Sequence, residues 1–268
     1  KRLFCGTLDP NPKINGRGIK SLEKAGIETN VGLLKDDCKE LNRIFFINQK
    51  KSRPYIILKS AQSIDGKIAL KNGDSKWISN PESRKDSHHL RSRVKGILVG
   101  RRTAEGDNPS LTIRLSKKEL NLNKIDSIEQ PVKIILGNLK KSKKVNKIFS
   151  KNSKVIIGSR MLEKNVSGIE YIKYDKKNFL EEFMKDLYEK DISSILVEGG
   201  QKTLNAFIAN NLFDELVLYT APTFLGKESI QTLGLRAPKS MKHLKRLKMA
   251  KVEIFNDDIK TTYFNGKI

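Results

Sequence analysis

What most constrains this chain is an alternation that starts at Pro54, where short apolar runs rich in β-branched residues take turns with longer helical patterns. The strand-like runs lie at residues 55–58, 96–99, 132–136, 154–157, 195–197 and 216–219, and the helical patterns at 82–94, 178–189 and 202–209. Runs that are apolar throughout need cover on both faces of a sheet, and helices between successive strands supply both that cover and the crossover that parallel pairing requires. The expected class is α/β, with a mixed, mainly parallel sheet and helices on both faces. Residues 252–255 and 261–264 flank Asn256, Asp257 and Asp258 and predict an antiparallel hairpin at one edge.

The first 48 residues read differently: a short strand, a turn at Asp9-Pro10-Asn11-Pro12, a helix over 18–25, a strand over 28–31 and a helix ending near Phe46. That is too little for a domain. The polar segment 48–54 breaks the pattern and is expected to be a linker, dividing the chain into 1–49 and 50–268. The chain opens on Lys1, not Met, and runs straight into an apolar stretch, so an upstream segment is expected to be missing. No run approaches the roughly 18 apolar residues of a membrane span. Two cysteines, Cys5 and Cys38, cannot build a disulfide framework, and a reducing cytoplasm is the expected compartment. Lys and Arg outnumber Asp and Glu by 53 to 30, a net charge of +23 that raises attraction for phosphates and nucleic acid. The lysines are spread along the chain, however, with local knots at 140–147 and 242–248 and no aromatic stacking motif beside them, so specific nucleic-acid binding is not expected.

Several chemistries leave no trace. There is no GxGxxG after a strand, no P-loop, no HExxH, no CxxC and no His/Cys cluster with metal spacing. His88 and His89 sit in a charged helix and read, with His243, as surface or packing residues. Two glycine turns remain. GRRT at Gly100, Arg101, Arg102 and Thr103 follows the run at 96–99; its glycine admits close backbone approach, its arginines offer planar forks and its threonine can bind an anion. VEGGQKTLNAFI at 197–208 is again a strand, a glycine pair and an amphipathic helix, whose N-terminal N–H groups suit a pyrophosphate. Two such turns at carboxyl ends of strands in one sheet point to a dinucleotide. Lys59 interrupts an apolar strand, where a cation is costly unless paired or functional. Asp65, before Gly66, reads as a structural turn residue.

This combination resembles the dihydrofolate reductase-like superfamily, in which a GRxT turn and a late glycine pair clasp NADPH without a Rossmann fingerprint. Within it, residues 58–115, with SIDGKIA, SKWIS and DNPSLTIR, together with the later VEGG, resemble the reductase domain of the bifunctional riboflavin-biosynthesis deaminase/reductase family. The likeness spans 54–268. Residues 9–32, DPNPKINGRGIKSLEKAGIETNVG, resemble the closing portion of that family's deaminase domain, a partial cytidine deaminase-like α/β segment. The family's zinc signature, an HAE motif and a later PC segment, is missing from these residues. Zinc is therefore expected only with a deaminase portion outside them, and no metal site is expected here.

The resemblance implies that NADPH delivers a hydride to C1′ of the ribose in 5-amino-6-(5-phosphoribosylamino)uracil, giving the ribitylamino product. It implies that Ala61, Trp77, Thr103 and Asp107 line the cofactor, with Gly100 and Arg101 of the GRRT turn and with Asn138, where the family often has serine. Gly199 and Gly200, followed by Gln201, Lys202, Thr203, Leu204, Asn205 and Ala206, are expected to hold its phosphates. Ser75, Arg91, Leu111, Arg114 and Glu198 are expected to face the phosphorylated substrate, and Lys59, Asp107 and Glu198 to shape the reacting centre. Each has a plainer alternative: Trp77 and Leu111 as core, Arg91 and Arg114 as surface pairs. The rival functions are another reductase of the superfamily acting on a pterin-like substrate and a basic RNA-binding module. The family's habit of self-association implies a homodimer.

Overall fold

A computed structural model describes residues 1–122, 127–139, 147–150, 153–160, 168–174 and 178–266. At the amino end, β1 (Arg2–Cys5), α1 (Arg17–Lys24) and β2 (Glu28–Val31) form a small parallel pair with its connecting helix, followed by α2 (Lys35–Leu41). α3 (Arg43–Lys51) leads into β3 (Tyr55–Ser63), β4 (Lys67–Ala69), α4 (Pro81–Ser92), β5 (Gly96–Gly100) and α5 (Arg101–Asp107). β6 (Val132–Leu136), β7 (Val155–Ser159) and β8 (Ile169–Lys173) come next, then α6 (Phe179–Glu189), β9 (Ser194–Val197) and α7 (Gln201–Ala209). The chain closes with β10 (Glu215–Ala221), β11 (Ile230–Gln231), β12 (Lys248–Phe255) and β13 (Asp258–Phe264).

Nine strands make one sheet in the order β12-β13-β10-β3-β9-β5-β6-β7-β8, parallel from β10 to β8 and antiparallel through the β12–β13 hairpin at one edge. This is the mixed, mainly parallel sheet the alternation predicts. Successive residues on β3 go to opposite faces: Ile56 and Leu58 join Phe183, Met184, Leu187, Leu204 and Phe207 under α6 and α7, whereas Tyr55 and Ile57 join Ile47, Leu90 and Val94 under α3 and α4. Each face therefore has its own core, which is why the strands read as continuous apolar runs.

The segment 48–54 is not the expected linker. α3 continues to Lys51, and Asn48, itself buried, donates from Nδ2 to the carbonyls of Arg53 (2.8 Å) and Ser193 (2.9 Å). Arg53 is buried in a bidentate pair with Asp214 (2.6 and 2.8 Å), and Asp214 also accepts the Ile56 N–H (3.0 Å). Polarity suggested solvent exposure, but these groups find buried partners that sequence does not display. β3 also outruns its expected end at 58 by five residues, reaching Ser63. β4, β8 and β11 were not expected, being short or half-exposed strands. Of the lysine knot at 140–147, residues 140–146 lie outside the described residues.

Candidate active site

Parallel register places the chemistry. Leu58 pairs with Val197 of β9, and Val197 pairs in turn with Leu98 of β5, so Glu198 and the GRRT turn, at the carboxyl ends of β9 and β5, lie beside Lys59 midway along the longer β3. A cavity of about 520 Å³ opens there. Its lining includes Lys59, Ala61, Ser75, Trp77, Thr103, Asp107, Glu198, Gly199 and Gly200, nine of the residues singled out in the sequence. A larger cleft of about 760 Å³ lies where Tyr55 and Glu215 begin their strands. Ligands of open α/β sheets bind at the opposite, carboxyl ends, so the smaller cavity is the candidate site.

The glycine turns fit together closely. A Cβ on Gly100 would meet Thr203 Oγ1 at 2.3 Å, and one on Gly199 would meet Thr203 Cβ at 2.5 Å, so both positions require glycine for the first turn of α7 to reach the GRRT backbone. Neither α5, which starts after Gly100, nor α7, which starts after Gly200, has a side-chain cap. The Thr203 N–H bonds the Gly200 carbonyl at 2.9 Å, and an uncapped helix start directly after Gly199 and Gly200 of the cavity is a setting in which a pyrophosphate binds well. The residues present fit a dinucleotide cofactor.

Glu198 is the electrostatic centre. Arg91 of α4 grips it with two bonds, Nε to Oε1 at 3.0 Å and Nη2 to Oε2 at 2.6 Å, and donates from Nη1 to the Thr112 carbonyl at 2.9 Å. Burial alone would push the Glu198 carboxyl up, but the charges of Arg91 and Lys59 and the Arg91 hydrogen bonds hold it below the usual carboxylate range. Lys59 is pushed down from its ordinary value, chiefly by burial and also by Arg91, against the opposing pull of Glu198 and Asp86. Its ammonium stands 5.5 Å from the centre of the Tyr219 ring, and Tyr219 donates to Asp86 at 2.5 Å. Asp107 is pushed up by partial burial, with Lys76 acting against the rise.

The other expected residues are spread further. Arg101 pairs with Glu105 (3.0 Å) and, with Asn138, lines an adjoining cavity of about 620 Å³ at the ends of β6 and β7. Asn138 Oδ1 accepts from Ser159 Oγ and from the Arg160 N–H at 2.9 Å. Leu111 is fully buried in the core under α4 and does not face the cavity; its left-handed backbone (φ 50°) turns the chain there. Leu204 is likewise core, so only its backbone can serve a ligand, and Asn205 accepts the Gly234 N–H at 3.2 Å. Arg91 and Arg114 are not among the cavity's lining residues: Arg91 is committed to Glu198, and Arg114 contacts His88. Gln201, Lys202, Thr203 and Ala206 lie on α7, with Lys202 exposed. Asp65 is the structural turn residue it looked like, accepting the N–H groups of Leu225 (3.2 Å) and Gly226 (2.8 Å). Sequence reading missed Arg84, whose guanidinium lies 4.6 Å over the exposed Trp77 ring, and gave no contact role to His88. No motif marks either; their partners are set by tertiary placement.

A mainly parallel sheet with two interlocked glycine turns and a buried Lys/Glu/Arg group on its carboxyl side is the α/β arrangement that the resemblance to dihydrofolate reductase-like reductases implies. The profile of the RibD C-terminal domain matches residues 54–261, and the chain belongs to that family of riboflavin-biosynthesis enzymes. The riboflavin biosynthesis protein RibD of Aquifex aeolicus is 36% identical over 263 residues, which are 97% of this chain and 71% of that protein. RibD of Haemophilus influenzae is 33% identical over 269 residues, 98% of this chain and 72% of the other. Among solved structures, Acinetobacter baumannii RibD superposes with a TM-score of 0.84 at 28% identity, covering 100% of this chain and 73% of that one. A diaminohydroxyphosphoribosylaminopyrimidine deaminase/5-amino-6-(5-phosphoribosylamino)uracil reductase from Thermotoga maritima gives 0.83 at 30% identity, covering 99% and 72%. Among the described residues no helix is long and apolar enough to cross a membrane.

Proposed function

We propose that the chain reduces 5-amino-6-(5-phosphoribosylamino)uracil to its ribitylamino product with NADPH. The observation that carries this reading is the convergence of Lys59 and Glu198 with both glycine turns on one cavity. When bound, the cofactor supplies a hydride to C1′ of the sugar. Gly199, Gly200 and the N-terminal turn of α7 hold its phosphates, Thr103 and Asp107 flank it, and Trp77 with Arg84 stacked on it closes the outer wall. Arg101 and Asn138 extend the cofactor side into the adjoining cavity. On the substrate side, Ser75 and Glu198 meet the sugar and base, and Arg114 meets the phosphate. Arg91 acts by fixing the Glu198 carboxylate. Lys59, whose proton burial loosens, supplies that proton to the ring oxygen released as C1′ is reduced.

A pterin-type substrate would favour a buried carboxylate on the first strand of the sheet domain, and this chain has Lys59 there. Residues 1–49 are read as the closing part of a deaminase domain whose zinc ligands lie outside them. The working compartment is read as the cytoplasm and the assembly as a homodimer. The test is to mix the purified chain with NADPH and the deaminated ribosylaminouracil phosphate and follow the loss of nicotinamide absorbance. Consumption that requires both the chain and this substrate is expected; equal consumption with dihydropterin, or none, would overturn the reading.

A further inference from the structure

α4 carries His88 and Arg91 three residues apart, and so on one face of the helix. Both reach the same neighbouring segment: Arg91 donates to the carbonyl of Thr112, and His88 meets Arg114. The Arg114 guanidinium approaches His88 Nε2 through Nε (3.2 Å) and Nη2 (3.0 Å), while its backbone N–H points at Nδ1 from 3.3 Å. A neutral imidazole accepts through one nitrogen only, so these contacts are alternatives: accepting through Nε2 holds the guanidinium, and accepting through Nδ1 holds only the Arg114 backbone. The ring itself is buried, with 9% of its surface exposed, while Arg114 is exposed between the buried Ile113 and Leu115.

The two arginines on this face end in opposite electrostatic states. Arg91 is neutralised by Glu198 at 2.6 Å. Among the described residues Arg114 has no carboxylate partner; it is oriented by an uncharged acceptor and keeps its whole charge, which is what capture of an anion requires. Burial, together with the charges of Arg91 and Arg114, holds His88 down at about 4, so the ring is neutral at ordinary working pH and does not repel the guanidinium.

We infer that His88 is a positioning residue that aims the Arg114 guanidinium at the phosphate of the substrate while leaving its charge uncompensated. The inference rests on the reading of Arg114 as the phosphate ligand, and the two can fail separately. A catalytic role is not implied: His88 acts through Arg114 and touches no reacting atom.

The test measures KM for the phosphorylated substrate and for NADPH in His88→Leu, His88→Gln, His88→Asn, Arg114→Ala and the double variant His88→Leu/Arg114→Ala. Losing a hydrogen bond that orients a charged group should raise substrate KM about tenfold in His88→Leu, with NADPH KM unchanged. Gln restores an acceptor near the Nε2 position and should return substrate KM to near the wild-type value; Asn, which reaches only the Nδ1 position beside the Arg114 backbone N–H, should not. The double variant should be no worse than Arg114→Ala alone, because both changes remove one function. If Arg114→Ala raises substrate KM but His88→Leu does not, or if the two effects add, the positioning role of His88 is overturned and the reading of Arg114 stands. If Arg114→Ala leaves substrate KM unchanged, the phosphate reading falls and takes the inference with it. Should His88→Leu fail to fold, the Gln and Asn variants decide: substrate KM near wild type in Gln and raised in Asn supports the role, and a raised KM in Gln or an unchanged KM in Asn, with melting temperatures intact, overturns it.

Discussion

On the proposed substrate wall of the cavity, Glu198, and Arg91 behind it, are withdrawn from solvent, at 10% and 13% side-chain exposure, and are paired with each other. On the cofactor wall, Trp77 is 70% exposed, Arg102 and Asp107 are exposed as well, and two helix N-termini lack side-chain caps. The first wall is organised by its own charges, so the cost of burying them is met by folding; the second leaves its polar groups in water, open to the proposed dinucleotide. The difference teaches where each kind of damage should register. Breaking the Arg91–Glu198 pair should harm stability and turnover together, and changes on the cofactor wall should harm cofactor affinity alone.

The strongest way to break the comparison is Glu198→Ala, which leaves the Arg91 charge buried without its partner. It should cost about 3–5 kcal/mol in denaturant unfolding, besides abolishing measurable turnover. A fully stable Glu198→Ala protein would contradict the idea of a wall organised by its own charges. Lys59→Met comes next: it removes a buried ammonium that folding holds at a disadvantage, so kcat should fall about a hundredfold or more while the melting temperature does not drop. On the other wall, Arg102→Ala should raise NADPH KM about tenfold and change stability by no more than about 0.5 kcal/mol. The smallest effect is in pH. His88 is held at about 4 in the folded chain against 6.5 when free, so the unfolded chain binds the extra proton between those values and stability declines as pH falls from 6.5 toward 4. His88→Gln should flatten that part of the curve, and an unchanged slope would show that His88 does not carry it.

The two walls were unequally legible in the sequence. The cofactor wall is written locally: GRRT and EGG each follow an apolar strand, and a strand, a glycine turn and a helix are contiguous in the chain. The substrate wall depends on residues that topology brings together, such as Arg91 and Glu198, 107 positions apart, and His88 and Arg114, 26 apart. The family resemblance made Arg91 a substrate ligand; in the structure its guanidinium is buried against Glu198. Leu111, placed against the substrate by the same resemblance, has its side chain buried in the core, so only its backbone can meet a ligand. The supposed linker shows the same limit: Asn48 and Arg53 look solvated as letters, yet both are buried, and their partners include Ser193 and Asp214 far along the chain. The alternation of strands and helices was legible because a parallel sheet covered on both faces repeats its pattern at every crossover.

The central claim is that the two walls meet across one hydride transfer to the sugar carbon. The most direct measurement uses NADPH carrying deuterium at the transferable nicotinamide position, with the product analysed by mass and magnetic resonance. The account predicts one deuterium, located on C1′ of the ribityl chain. Product without deuterium, or deuterium on the pyrimidine ring, would contradict it.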